Sequence, residues 1–147
     1  MLLAGEDVTQ AIRENQVSRY ASQVSAYPAV RAFLLEMQRD MAKTQNILMD
    51  GRDIGTVVLP NATVKIFLTA TAEDRARRRY AELTERGTDT DFDTVLRDII
   101  ARDEKDTQRA AAPLRQAEDA IAVDTTGNTL EESFRQLLGV VRAGVGL

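Results

Sequence analysis

The chain contains no cysteine and no histidine. Without cysteine there is no disulfide framework and no thiolate nucleophile. Without histidine the common zinc sets are excluded, and so is every histidine-based nucleophilic triad. Long apolar runs are also missing: nothing approaches the about eighteen residues of a membrane span. The opening MLLAGEDV has neither the basic n-region nor the apolar h-region of a secretory signal, so the expectation is a soluble, cytoplasmic protein. No G-x-x-x-x-G-K-[ST] pattern occurs, nor any Gly-Lys pair, and hence no P-loop to cradle a triphosphate. Internal repeats, low-complexity tracts and Pro/Gly/Ser linkers are absent too, and the chain reads as one piece.

What is present suits one ordinary globular domain: 147 residues, 44% hydrophobic and 29% charged. A net charge of −4 argues against a nucleic-acid polymer or an anionic membrane as partner, because both demand a positive surface. An anion would have to be met locally. Sixteen of the nineteen basic residues are arginine, whose rigid fork suits phosphate and carboxylate oxygens. A genome rich in arginine codons accounts for the ratio equally well.

Along the chain, Leu2-Leu3-Ala4 reads as a strand end, followed by a short helical stretch EDVTQAIRENQ and a helix over VSRYASQVSA. Pro28 suits a first helical position, and Val30, Phe33, Leu34, Met37 and Met41 follow the spacing of one buried helix face. Ile47–Met49 is expected as a short strand, Val64–Thr69 as a second and Ala120–Asp124 as a third, all buried. Thr71 and Asp74 form a capping-box-like start to a helix that stops at Gly87. A further helix is predicted from about Phe92 to Gln108, and Thr129 with Glu132 caps a last helix carrying Leu130, Phe134, Leu137, Leu138 and Val141. Strands alternating with helices indicate an α/β domain with a parallel sheet, in which ligands sit beyond the carboxyl ends of the strands. The segment Asp50-Gly-Arg-Asp53 lies at one such end, and Asp124-Thr-Thr-Gly-Asn128 at another.

The helix from Phe92 carries most of the chemical information. Phe92, Val95, Leu96, Ile99 and Ile100 form an apolar stripe at roughly 100° per residue, and Asp103 and Asp106 continue in the same arc with Arg102 and Arg109 at its edge. Inward charges need partners. They either pair among themselves as a helix-end network or line a polar cleft completed by a ligand's phosphate, ribose or base. Arg75, Arg77, Arg78 and Arg79 form a second cluster. It is open to two readings: a solvated face balanced by Glu73, Asp74, Glu82 and Glu85, or a clamp on nucleotide phosphates.

DGRDIGTVVLPNATVKIFLTATAEDRARRR, RDEKDTQRAAAPL and AIAVDTT, in this order and spacing, closely resemble bacterial cytidylate kinase. The resemblance runs from Ala4 to the C-terminus. It implies a P-loop nucleoside monophosphate kinase fold, a three-layer α/β/α sandwich around a parallel sheet. The implied reaction is phosphoryl transfer from ATP, with Mg²⁺, to CMP or dCMP. It further implies that Ser22 and Arg31 read the cytosine base with help from Arg109 and Asp53, and that Arg52 lies near the transferred phosphate. Arg102 and Asp106 would lie near the monophosphate's ribose and phosphate, which makes Arg52, Arg102 and Asp106 the candidate catalytic residues. Arg75 and Arg78 would approach ATP phosphates, and Asp124, Thr125 and Thr126 would lie near the adenine. No metal ligand is assigned. The implied division is residues 1–45 as the end of the monophosphate-binding region, 46–74 as core strands, 75–112 as lid-like helices and 113–147 as a closing strand and helix.

The departure from the family is at the N-terminal side. A first strand, a Gly-rich P-loop ending in Lys-Gly-Thr, its helix and most of a monophosphate-binding insertion have no counterpart in these residues. The resemblance places that first strand between the Ile47 and Val64 strands. The expectation is therefore a C-terminal portion deficient in catalysis. The alternatives are a non-catalytic CMP-binding fragment, to be completed by another chain, and a structural remnant. The family's monomeric state would give way to self-association through exposed strand edges.

Overall fold

The computed structural model describes residues 1–25 and 27–147, with the side chains of residues 15, 16, 18, 19 and 22 left aside. Two compact units result, residues 1–48 and 49–147, each taken on its own terms.

The first unit opens with an antiparallel pair, β1 (Leu2–Leu3) and β2 (Glu6–Asp7). A 3-10 turn, Ala11–Arg13, leads to α1 (Asn15–Val24) and α2 (Pro28–Thr44). The expected helix over EDVTQAIRENQ is thus replaced by a hairpin arm, a turn and the start of α1. Gly5, at φ 88°, turns the chain so that Glu6 and Asp7 can pair back on Leu3 and Leu2. The Asp7 carboxylate also accepts from the Thr9 hydroxyl and amide, a local bond that competes with helix. Ala26, the last residue of the helix expected from Val17, lies outside the described residues. Pro28 does stand at the start of α2. Its apolar stripe, however, is not buried: Phe33, Met37 and Met41 are 65%, 40% and 43% exposed.

Ile47–Met49, where the first unit ends and the second begins, forms no strand, and Leu48 is exposed. A strand needs a neighbour for its amides and carbonyls, and among the described residues none runs beside this segment. After the DGRD segment comes a π-helical turn, Ile54–Val58, in which Val58 N donates to Asp53 O and Leu59 N to Ile54 O. β3 (Ile66–Thr69) and β4 (Ile121–Asp124) form a two-stranded parallel sheet in the register Ile66 with Ile121 through Thr69 with Asp124. The expected three-stranded buried sheet is therefore a pair, and on β4 only Val123 is buried. α3 (Ala72–Glu85) and α4 (Phe92–Gln108) pack antiparallel on Ala76, Leu83 and Val95, with Tyr80 edge-on to Phe92. Ala76, within that cluster, is wholly buried.

α5 (Leu130–Val145) begins with the complete capping box that Thr129 and Glu132 announce: the Glu132 amide donates to the Thr129 hydroxyl and the Thr129 amide to the Glu132 carboxylate. Thr71 caps α3 by only half of that pattern. Its hydroxyl accepts from Asp74 N, while its own amide donates to Thr126 Oγ1, leaving the Asp74 carboxylate for another partner. Near its end α5 carries Gly144, where a Cβ would collide with Val64 Cγ2. Valine is stiff at χ1 and has little room to yield. Gly144→Ala is expected to destabilise the unit by about 1–3 kcal/mol, measured by urea unfolding of the two proteins.

Candidate functional site

The C-terminal turns of α4 gather the charges. Asp106 is 6% exposed. Arg52 donates from Nε to Asp106 Oδ2 at 3.1 Å, and Arg109 from Nη2 to Oδ1 at 2.6 Å. Arg102 Nε stands 3.9 Å from Oδ2. Two of these arginines, Arg102 and Arg109, come from α4 and its end. Arg52 comes from the DGRD segment, 54 residues away in sequence. Its arrival follows from the apolar stripe of α4: turning Val95 into the core turns Asp106 inward as well, where a carboxylate without cations would be untenable. The backbone completes the corner, with Leu114 N donating to Asp106 O at 2.8 Å.

Three guanidinium groups thus share one buried carboxylate, which neutralises a single charge and leaves two in excess. The side chains of Arg52, Arg102 and Arg109 are 43%, 63% and 34% exposed, so the carboxylate is inside and the spare N–H donors face outward. Such a fork-lined corner matches a dianionic phosphate in charge and geometry.

One helical turn earlier, Asp103 holds Arg75 of α3. Arg75 donates from Nη1 to Oδ1 at 3.0 Å and from Nη2 to Oδ2 at 2.6 Å, while its Nε donates to Ala70 O at 3.1 Å. The Asp103 carboxylate raises the Arg75 pKa further above its ordinary value. Arg78 reaches the turn after β4, donating from Nη2 to Thr125 O at 2.5 Å and ion-pairing with Asp74. Asp74 also accepts from Gly127 N at 3.3 Å, in a turn that needs φ 75° at Gly127. Thr125 is buried, with its amide and its hydroxyl donating to Thr69 O. The Asp124 carboxylate accepts from the Thr126 hydroxyl and amide, which hold its pKa below the usual range.

The candidate residues of the second unit therefore fall into two adjoining groups. Arg52, Arg102, Asp106 and Arg109 converge on one carboxylate, and Arg78, Asp124, Thr125 and Thr126 meet at the carboxyl ends of β3 and β4. Arg75 and Asp103 stand between α3 and α4. Asp53 accepts from Val57 N and Val58 N through its carbonyl, at the head of the π-helical turn. Ser22 belongs to α1 of the first unit, but its side chain lies outside the described residues. Arg31 sits in the first turn of α2, its amide donating to Tyr27 O at 2.9 Å.

Sequence reasoning missed Lys65. It is 8% exposed, with Nζ donating to both Asp119 oxygens at 2.8 and 2.7 Å and to Pro60 O. The Lys65 contact depresses the Asp119 pKa. This clasp ties the segment after the π-helical turn to the approach to β4. The available signal was a single lysine inside the β-branched run that becomes β3.

The family model described as cytidylate kinase matches residues 1–143. The chain is 52% identical over 141 residues to the cytidylate kinase of Carboxydothermus hydrogenoformans, covering 96% of this chain and 64% of that protein. It is 51% identical over 146 residues to that of Caldicellulosiruptor saccharolyticus, covering 99% and 65%. With the cytidylate kinase of Stutzerimonas stutzeri it shares 52% over 141 residues, covering 96% and 62%. The chain thus spans somewhat less than two thirds of the length of these curated relatives. A match over nearly every residue, together with the arginine–aspartate corner that its motifs build, establishes that this chain belongs to the cytidylate kinase family.

Proposed function

We propose that this chain carries the monophosphate side, and part of the donor side, of a kinase that moves the γ-phosphoryl group of ATP to CMP or dCMP. The observation that carries the reading is the Asp106 corner, with its two surplus positive charges. In-line phosphoryl transfer is governed by positioning and charge neutralisation, so arginines held rigidly by a buried carboxylate are the parts it requires. In this reading Arg52 lies near the transferred phosphate, Arg102 and Asp106 stand at the acceptor's ribose and phosphate, and Ser22 and Arg31 read the cytosine with help from Arg109 and Asp53. Arg75 and Arg78 approach the donor's phosphates, and Asp124, Thr125 and Thr126 stand near its adenine. Mg²⁺ arrives with ATP as part of the co-substrate.

We further propose that α3 and α4 act as a lid-like hairpin and that the complete fold is an α/β/α sandwich. A strand bearing a P-loop would lie between the Ile47–Met49 segment and β3. The unpaired state of that segment and the parallel pairing of β3 with β4 support this order. An unpaired strand edge also favours self-association of these 147 residues, against a monomer for the complete fold.

Calorimetry tests the acceptor site. CMP is expected to bind the chain at least about tenfold more tightly than cytidine, which lacks the phosphate the corner would hold. Equal affinities, or no binding of either at about 1 mM, would refute the reading. A second reading, a CMP-binding piece without turnover, is favoured by the lack of any Gly-Lys pair in the sequence. It shares this binding result and differs in the kinetic one.

A further inference from the structure

The two inward aspartates of α4 are not equivalent. Asp106 is buried and serves three arginines, so charge is left over for an anion. Asp103 has a 38% exposed side chain and is matched, among the described residues, by Arg75 alone, at 37% exposure. Both carboxylate oxygens face both terminal nitrogens of the guanidinium, and its third nitrogen, Nε, donates to Ala70 O. No net charge remains at Arg75 to attract phosphate.

We propose that Asp103 is a displaceable latch: it holds Arg75 across the α3–α4 hairpin, and a polyphosphate takes Arg75 by exchanging with its carboxylate. The inference rests on the reading above that Arg75 meets donor phosphates. Burial decides which aspartate yields. Expelling Asp106 from its arginines would strand a charge away from water, whereas Asp103 can turn its carboxylate to solvent when phosphate replaces it. Exchange also conserves pairing, since the guanidinium trades one bidentate oxyanion for another. Before exchange, Asp103 keeps Arg75 from drifting and screens it from the surplus charge of the neighbouring corner. Its role is positioning and competition, with no contact to the reacting atoms.

Inorganic tripolyphosphate is the probe, titrated at low ionic strength into the full 147-residue chain and followed by calorimetry. Asp103→Asn frees Arg75 and should tighten binding about fivefold, the equivalent of one partly exposed ion pair. Arg75→Gln should weaken it by a similar factor. Glu104→Gln removes the same charge from the exposed neighbouring position without touching the pair and should stay within about twofold of the unaltered chain. Weakening by Arg75→Gln without tightening by Asp103→Asn would overturn the latch while leaving the phosphate reading intact, as would an equal gain from Glu104→Gln. Binding indifferent to Arg75→Gln, or no binding at all, would overturn both. Should Asp103→Asn unfold, the unaltered chain still answers through the carboxyl ¹³C signal of Asp103. Tripolyphosphate should move it toward that of a solvated aspartate, and a stationary signal during saturable binding refutes exchange.

Discussion

Asp106→Asn is expected to weaken CMP binding about fiftyfold, or roughly 2.3 kcal/mol, by calorimetry on the folded variant. The direction is not trivial. The substitution removes a negative charge from a phosphate corner, and if charge alone governed affinity, binding would tighten. It should weaken because Asp106 is what brings Arg52 onto the same corner as Arg109 and Arg102. A neutral amide keeps one acceptor oxygen and no charge, so it cannot hold both hydrogen-bonded guanidinium groups and offset the third, and the arginines then repel one another into solvent. The same change should cost about 2 kcal/mol in urea unfolding, moderated because the arginines are partly exposed and can rehydrate. Undiminished CMP affinity would mean that Asp106 is a packing residue and that the acceptor phosphate sits elsewhere.

The second large effect concerns turnover. With MgATP and CMP, the 147 residues alone should show a kcat at least about four orders of magnitude below the 1–100 s⁻¹ typical of kinases. A P-loop supplies a row of backbone amides and a lysine to the β- and γ-phosphates, and each such donor aimed at developing charge contributes on the order of a hundredfold. Of the arginines proposed to approach the donor, Arg75 has first to be released by Asp103, and Arg78 is held by Thr125 O and Asp74. A coupled ADP-release assay reads the rate, and a kcat near 1 s⁻¹ would show that the remaining arginines suffice. CMP binding without turnover would separate an acceptor site from a complete active site.

Local rules carried the helices. The helix from about Phe92 to Gln108 was legible because its apolar stripe recurs at helical spacing, and Thr129 with Glu132 announced α5 through their capping box. Strands were less legible. Ile47–Met49 has the composition of one, yet pairing depends on a neighbour that no local pattern supplies. The Glu6–Asp7 stretch went the other way, since a hairpin through Gly5 outweighed an acidic helical start.

The site divides along the same line. Order and spacing of DGRD, RDEKDTQR and AVDTT were enough to establish the family and to nominate the arginines, because those choices lie in residue type and sequence distance. Which arginine meets which carboxylate was decided only by the fold. Arg52 could have paired with Asp50 or Asp53 beside it, and Arg75 with Glu73 or Asp74. Instead each crosses to α4, Arg52 to Asp106 and Arg75 to Asp103, because the packing of α3 and α4 turns both aspartates toward the elements that carry the arginines. Composition sets how much charge a chain carries. Only the packing of distant elements decides which charges are buried together and which remain free to meet an anion.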